Sequence, residues 1–211
     1  MSDNVVASKI AQYLLEIQAV KLRPDEPFTW ASGWKSPIYC DNRLSLSYPE
    51  IRTYIKKQFS GRILKEFPGT QAVVGVATAG IAPGALVADE LGLPFAYIRP
   101  EPKSHGRQNQ LEGDLRPGTK AVVLEDLVST GKSSLKAVEA LRKEGIEVVG
   151  MASIFSYGFP DAVRNFDAHQ CPWFSLSSYE ALITRALEMG YISASQLENL
   201  KIWRENPSAW G

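Results

Sequence analysis

The sequence predicts an α/β domain: a central, mostly parallel sheet flanked by helices, with a small N-terminal hood. Three observations carry this reading. Between residues 70 and 175, short apolar runs alternate with helical patterns, as when crossover helices cover both faces of a parallel sheet. The first 65 residues lack that regularity and are rich in aromatics, proline and glycine. The 211 residues, 45% hydrophobic and 22% charged, suffice for one substantial core with an appendage.

Taken in order, Val6, Ile10, Tyr13, Leu14, Ile17 and Val20 recur at helical spacing and predict a helix over 5 to about 20. Pro24, Pro27, Gly33 and Pro37 then break the pattern, as in loops and a hairpin. Pro49 opens a second helix that places Ile51, Tyr54, Ile55, Phe59 and Ile63 on one face. Past Pro68-Gly69, a strand over 72–77 leads through Thr78-Ala79-Gly80 into a helix over 81–91. Strands follow over 95–98 and 120–124, then a helix over 134–144 stopped by Gly145, then a strand over 148–155. The tail reads as two helices, 179–189 and 195–203. The whole of 1–211 is thus expected to be a single domain, with 1–65 as hood, 70–175 as core and 177–211 as C-terminal helices.

Charge excludes one class of function. Lys+Arg and Asp+Glu both number 23, whereas a sequence-independent polyanion binder carries a basic excess. Cys40 and Cys171 stand far apart, and with two histidines they offer no zinc-ligand spacing. Both thiols are expected to be reduced in a cytoplasmic setting. No basic-then-apolar leader and no run of roughly 20 apolar residues is visible, so neither secretion nor membrane insertion is expected.

The chemistry concentrates at 121–133. Four apolar residues run into Glu125-Asp126, then Leu127-Val128-Ser129-Thr130-Gly131-Lys132-Ser133. A buried strand ending in paired acids opens into a helix N-terminus rich in small residues. Amides there can hold a phosphate, and the acids can hold sugar hydroxyls or a metal. Acids after a strand often serve only as a helix cap. Two adjacent like charges at a buried strand end, however, favour a cation or hydroxyl partner. A nucleotide triphosphate loop is excluded, because G-x-x-x-x-G-K-[ST] requires glycine where Asp126 stands.

That segment resembles the phosphoribosyl pyrophosphate signature of type I phosphoribosyltransferases, which names a superfamily and not a base. The polar stretch Arg99-Pro-Glu-Pro-Lys103-Ser-His105-Gly106-Arg107, running on to Glu112-Gly113, is long for a connection inside a compact domain. It is similar to the flexible catalytic loop of orotate phosphoribosyltransferases. Pro100 stands where some members carry a second lysine, which leaves Arg107 to compensate. The segment from Phe28 through Ser32-Gly33 and Ser36-Pro37 to Tyr39 resembles the same family's N-terminal pattern, with Ala31 in place of a lysine. Thr78-Ala79-Gly80-Ile81 resembles its pyrophosphate-facing turn, with Ala79 in place of another.

The resemblance implies transfer of a phosphoribosyl group from phosphoribosyl pyrophosphate to orotate, giving orotidine 5′-monophosphate and pyrophosphate in de novo pyrimidine synthesis. It implies Lys103, Asp126, Arg99 and His105 as catalytic residues. Phosphoribosyl pyrophosphate would meet Arg99, Lys103, His105, Glu125, Asp126, Leu127, Val128, Ser129, Thr130, Gly131, Lys132 and Ser133. Orotate would meet Ser129, Tyr39 and Cys40. Mg²⁺ would be held mainly through the substrate, with no dedicated protein ligands. A homodimer would share Lys103 across its interface, with no nucleic-acid or membrane partner. Many relatives hold the orotate carboxylate with a later arginine, and Ser156-Tyr157 offers none. A phosphoribosyltransferase for a purine or other base, or a non-catalytic ligand-gated regulator, remain the alternatives.

Overall fold

The computed structural model describes residues 2–30, 33, 35–100, 110–207 and 210. The first helix, α1 (Asp3–Glu16), buries Val6, Ile10, Ala11, Leu14 and Leu15. It stops short of residue 20 because Gln18 takes a positive φ of 55° and Val20 enters a strand. Short strands follow: β1 (Val20–Leu22), β2 (Phe28–Thr29), β3 (Lys35–Ser36) and β4 (Ile38–Cys40). β1 pairs with β4, and β2 with β3, both antiparallel. A 3₁₀ turn over Asn42–Ser47 leads into α2 (Pro49–Glu66), with Pro49 in its first turn.

The main sheet begins with β5 (Ala72–Val76), followed by α3 (Ile81–Leu91), β6 (Phe95–Ile98) and β7 (Leu111–Glu112). It continues through β8 (Lys120–Val128), α4 (Lys132–Lys143), β9 (Glu147–Ser156), α5 (Pro160–Ala168) and β10 (Trp173–Ser178). Helices α6 (Tyr179–Glu188) and α7 (Ala194–Glu205) follow. The strand order is β10-β9-β8-β5-β6-β7, and every pairing is parallel except β6 with β7. Side chains alternate across this sheet, as strand geometry requires. Ala72, Val74 and Val76 join one apolar cluster with Leu135, Val138 and Phe166, while Val73 joins the other with Phe59, Leu182 and Trp203. Helix α1 packs on α6 and β10, so within 1–65 the part that forms its own small strand pairs is roughly 20–40.

Within the core, too, the structure departs from the sequence reading. β8 does not end at 124, because β9 stays paired with it through Val128 while β5 leaves at Leu124. The acid pair therefore lies within the strand's last turns of pleat. Helix α5 and strand β10 were not expected. β10 reads Trp-Phe-Ser-Leu-Ser-Ser, and its serines are satisfied in the fold: the Ser177 hydroxyl donates to the Ala7 carbonyl at 2.8 Å.

Candidate active site

In an open parallel sheet, ligands gather beyond the carboxyl ends of the strands. Here β5 stops beside the acid pair, and β8 and β9 run on past it to Val128 and Ser156. Glu125 is 8% exposed, and its Oε1 accepts the Asp126 N–H at 3.1 Å. Burial, then the neighbouring Asp126 charge, pushes the Glu125 carboxyl up to about 9. Burial also raises Asp126, although a hydrogen bond from Glu125 and the field of Arg43 pull the other way. Both carboxyls are raised, Glu125 to about 9, so near neutrality Glu125 is a protonated member of the pair.

After β8, Gly131 takes φ +77° and starts α4, a conformation that costs a side chain energy. A Cβ there would also lie 2.6 Å from Phe166 Cε2. Phe166 belongs to α5, whose Asn165 donates through Nδ2 to the Thr130 carbonyl at 2.9 Å. Helix α5 therefore buttresses the Ser129–Ser133 turn, while the first amides of α4 lack intrahelical acceptors. The β5–α3 turn lies close by. A Cβ on Gly80 would collide with the Leu124 carbonyl, so only glycine lets this turn approach the end of β8. The Ala77–Thr78 peptide in it is cis.

Beside the elbow is a cavity of about 530 Å³, lined by Phe28, Thr29, Trp30, Tyr39, Cys40, Leu127, Ser129 and Tyr157. It brings together Tyr39, Cys40 and Ser129, the three residues predicted to meet the base. Trp30 anchors the wall: its Nε1 donates to the Ile38 carbonyl at 3.1 Å, and its ring packs on Tyr157 and Trp203 at 5.4 and 5.7 Å. Trp203, in α7, donates in turn to the Lys35 carbonyl at 3.2 Å. Burial, with Asp126 and Asp41 nearby, raises the Cys40 thiol well above its ordinary range, so it stays protonated. The Tyr157 phenol is raised too, by burial first. Neither Ser156 nor Tyr157 supplies a cation: the Ser156 hydroxyl accepts from the Gly158 N–H at 3.0 Å, and Tyr157 is buried.

Arg99 lies at the end of β6, paired with Glu112 at 3.6 Å. Gln110 Nε2 donates to the carbonyls of Arg99 and Pro100 at 3.2 and 3.1 Å and so joins the two feet of the loop. Lys103, His105 and Arg107 lie outside the described residues, as do Ala31 and Ser32. Lys132 and Ser133 are exposed at the start of α4. Sequence reasoning missed Asn42, Asn165, Phe166, Trp30, Tyr157 and Trp203 as parts of the site. The aromatic-rich stretch around Trp30 was the one signal available.

Hard oxygen donors suit Mg²⁺, and Asp126 with substrate oxygens would provide them. Among the described residues, no group of three or more His, Cys, Asp or Glu side chains is set to hold a metal.

The phosphoribosyl transferase domain family matches residues 46–173 of this chain. An orotate phosphoribosyltransferase of Porphyromonas gingivalis is 54% identical over 202 residues, covering 96% of each chain. One from Streptococcus thermophilus is 52% identical over 205 residues, covering 97% of this chain and 98% of its own. The crystal structure of orotate phosphoribosyltransferase from Aeropyrum pernix superposes with a TM-score of 0.75 at 28% identity, covering 87% of this chain and 99% of that one.

Proposed function

Because the chain belongs to the orotate phosphoribosyltransferase family, we propose that it moves the phosphoribosyl group of phosphoribosyl pyrophosphate onto N1 of orotate. The anomeric C–O bond breaks with its electron pair leaving on pyrophosphate, a C–N bond to the base forms, and the N1 proton passes to the departing pyrophosphate or to solvent. Positive charge builds on the ribose ring and negative charge on the departing pyrophosphate, so catalysis is mainly electrostatic. The observation that carries the reading is adjacency: an acid-then-hydroxyl elbow shares Ser129 with an aromatic cavity.

In this reading Asp126 accepts from a ribose hydroxyl and lies on the side where positive charge develops. Protonated Glu125 completes the hydroxyl contacts. The amides and hydroxyls of Ser129 to Ser133 hold the 5-phosphate against the positive end of α4. Arg99, Lys103 and His105 neutralise the pyrophosphate as their loop closes and excludes water. Mg²⁺, when bound, neutralises phosphate charge. Tyr39, Cys40 and Ser129 line the place of orotate. A homodimer would lend Lys103 to the neighbouring site. Among the described residues no helix is long and apolar enough to cross a membrane. We place the enzyme in the cytoplasm.

A spectrophotometric assay tests the activity. Orotate absorbance should fall only with donor, Mg²⁺ and enzyme together. Turnover with adenine, xanthine or uracil instead would assign another base, and tight nucleic-acid binding without turnover would assign a regulator. Shared lysines are tested by mixing Lys103→Ala and Asp126→Ala proteins. Random reassociation of two-fold dimers should restore about a quarter of wild-type activity, through heterodimers with one intact site.

A further inference from the structure

The strongest unassigned feature is a polar latch between the base cavity and the sugar acid. Asn42 is 1% exposed, and both ends of its carboxamide are engaged. Its Nδ2 donates to the main-chain carbonyl of Asp126 at 2.9 Å, across 84 residues of sequence. Its Oδ1 accepts the Cys40 thiol at 3.2 Å, and Cys40 lines the base cavity. The N–H of the same residue is held as well, donating to Glu125 Oε1. β5 has left β8 by this point, so the latch stands where one ladder neighbour has been lost.

We infer that Asn42 is a positioning residue: it fixes the separation between the base cavity and Asp126, and thereby aligns the attacking nitrogen with the anomeric carbon. This rests on the activity proposed above. Its physical basis is that the cavity wall at Tyr39 and Cys40 and the sugar acid belong to distant stretches of chain. Each half could bind its own ligand without the latch. Only the relative placement of the two reacting atoms depends on it, and a shift of about 1 Å in such placement can cost roughly 100-fold in rate.

The test uses full-length Asn42→Ala and Asn42→Asp. The first removes the latch; the second keeps its shape but turns an acceptor against the Asp126 carbonyl. Steady-state kinetics, thermal melting, and calorimetric binding of each substrate alone are measured beside wild type. The expected result is a kcat lower by roughly 10- to 100-fold, with both single-substrate dissociation constants within about threefold of wild type. A folded variant with kcat within threefold overturns the inference. So does binding that weakens in step with kcat, or failure of both variants to fold, since each makes the role simply structural. If one variant folds, it decides alone. A wild type that leaves orotate unconsumed sinks the proposed activity and this inference with it; an active wild type beside equally active variants sinks only the role of Asn42.

Discussion

Replacing Glu125 with glutamine should flatten the pH dependence of stability. In the folded, substrate-free protein the Glu125 carboxyl is pushed from an ordinary 4.5 up to about 9, first by burial and second by Asp126. A carboxyl raised on folding gives its full contribution below the unfolded value and loses it as pH climbs through the folded one. The window is therefore about 4.5 to 9. Inside it each pH unit costs the wild type about 1.4 kcal/mol, so pH 6 to 8 should remove about 3 kcal/mol that Glu125→Gln retains. The substitution is nearly isosteric and keeps an oxygen for the Asp126 N–H, so packing stays comparable. Urea unfolding of both proteins at pH 6, 7 and 8 without substrate reads the difference directly. Groups away from the pair titrate alike in both and cancel. Parallel stability-against-pH lines would refute the claim that Glu125 is neutral in the fold.

Gly131→Ala forces a side chain into φ +77° and toward Phe166, so it should lower the urea midpoint by the equivalent of about 1–3 kcal/mol and raise KM for the phosphoribosyl donor above that for orotate. Lys103→Ala should leave the melting temperature unchanged but cut kcat by roughly 100- to 1,000-fold, by analogy with losing one charge-stabilising donor; a few-fold loss would remove it from the chemistry. Trp203→Phe frees the Lys35 carbonyl and leaves a void where the fully buried indole packed, costing about 2–4 kcal/mol in unfolding free energy. Its kinetic trace should be a higher KM for orotate, not for the donor, read from substrate-saturation curves.

Much of the fold is local enough to read from the chain. The helix over 81–91 and the strand over 95–98 fall where apolar runs, Gly80 and Gly92 set them. The elbow at 125–133 was legible for the same reason: its acids, hydroxyls and glycine are contiguous. Boundaries failed where a tertiary partner overrides composition. β9 holds β8 in register past two acids, and a positive φ at Gln18 cuts α1 short. β10 failed because alternate serines look like a loop until their hydrogen-bond partners are known. Site residues failed for a related reason. Asn42 reaches Asp126 across 84 residues, and Trp203 reaches Lys35 across 168. No spacing rule within a window of ten or twenty residues contains such pairs.

The base cavity cannot be assigned to one part of the chain, and this constrains how specificity can change. Its wall takes Phe28, Thr29, Trp30, Tyr39 and Cys40 from the N-terminal segment, Leu127 and Ser129 from the elbow, and Tyr157 from just past β9. In the proposed reading Ser129 faces both ligands, and Tyr157 is pinned between Trp30, Phe159 and Trp203. A substitution on the elbow side perturbs the donor's phosphate and the base together. One on the Trp30–Tyr39 side moves the base alone, so long as the link from Asn42 to Asp126 holds. Selectivity between bases should accordingly be tunable at Phe28, Thr29 and Tyr39 without loss of donor affinity, whereas every change at Ser129 should alter both.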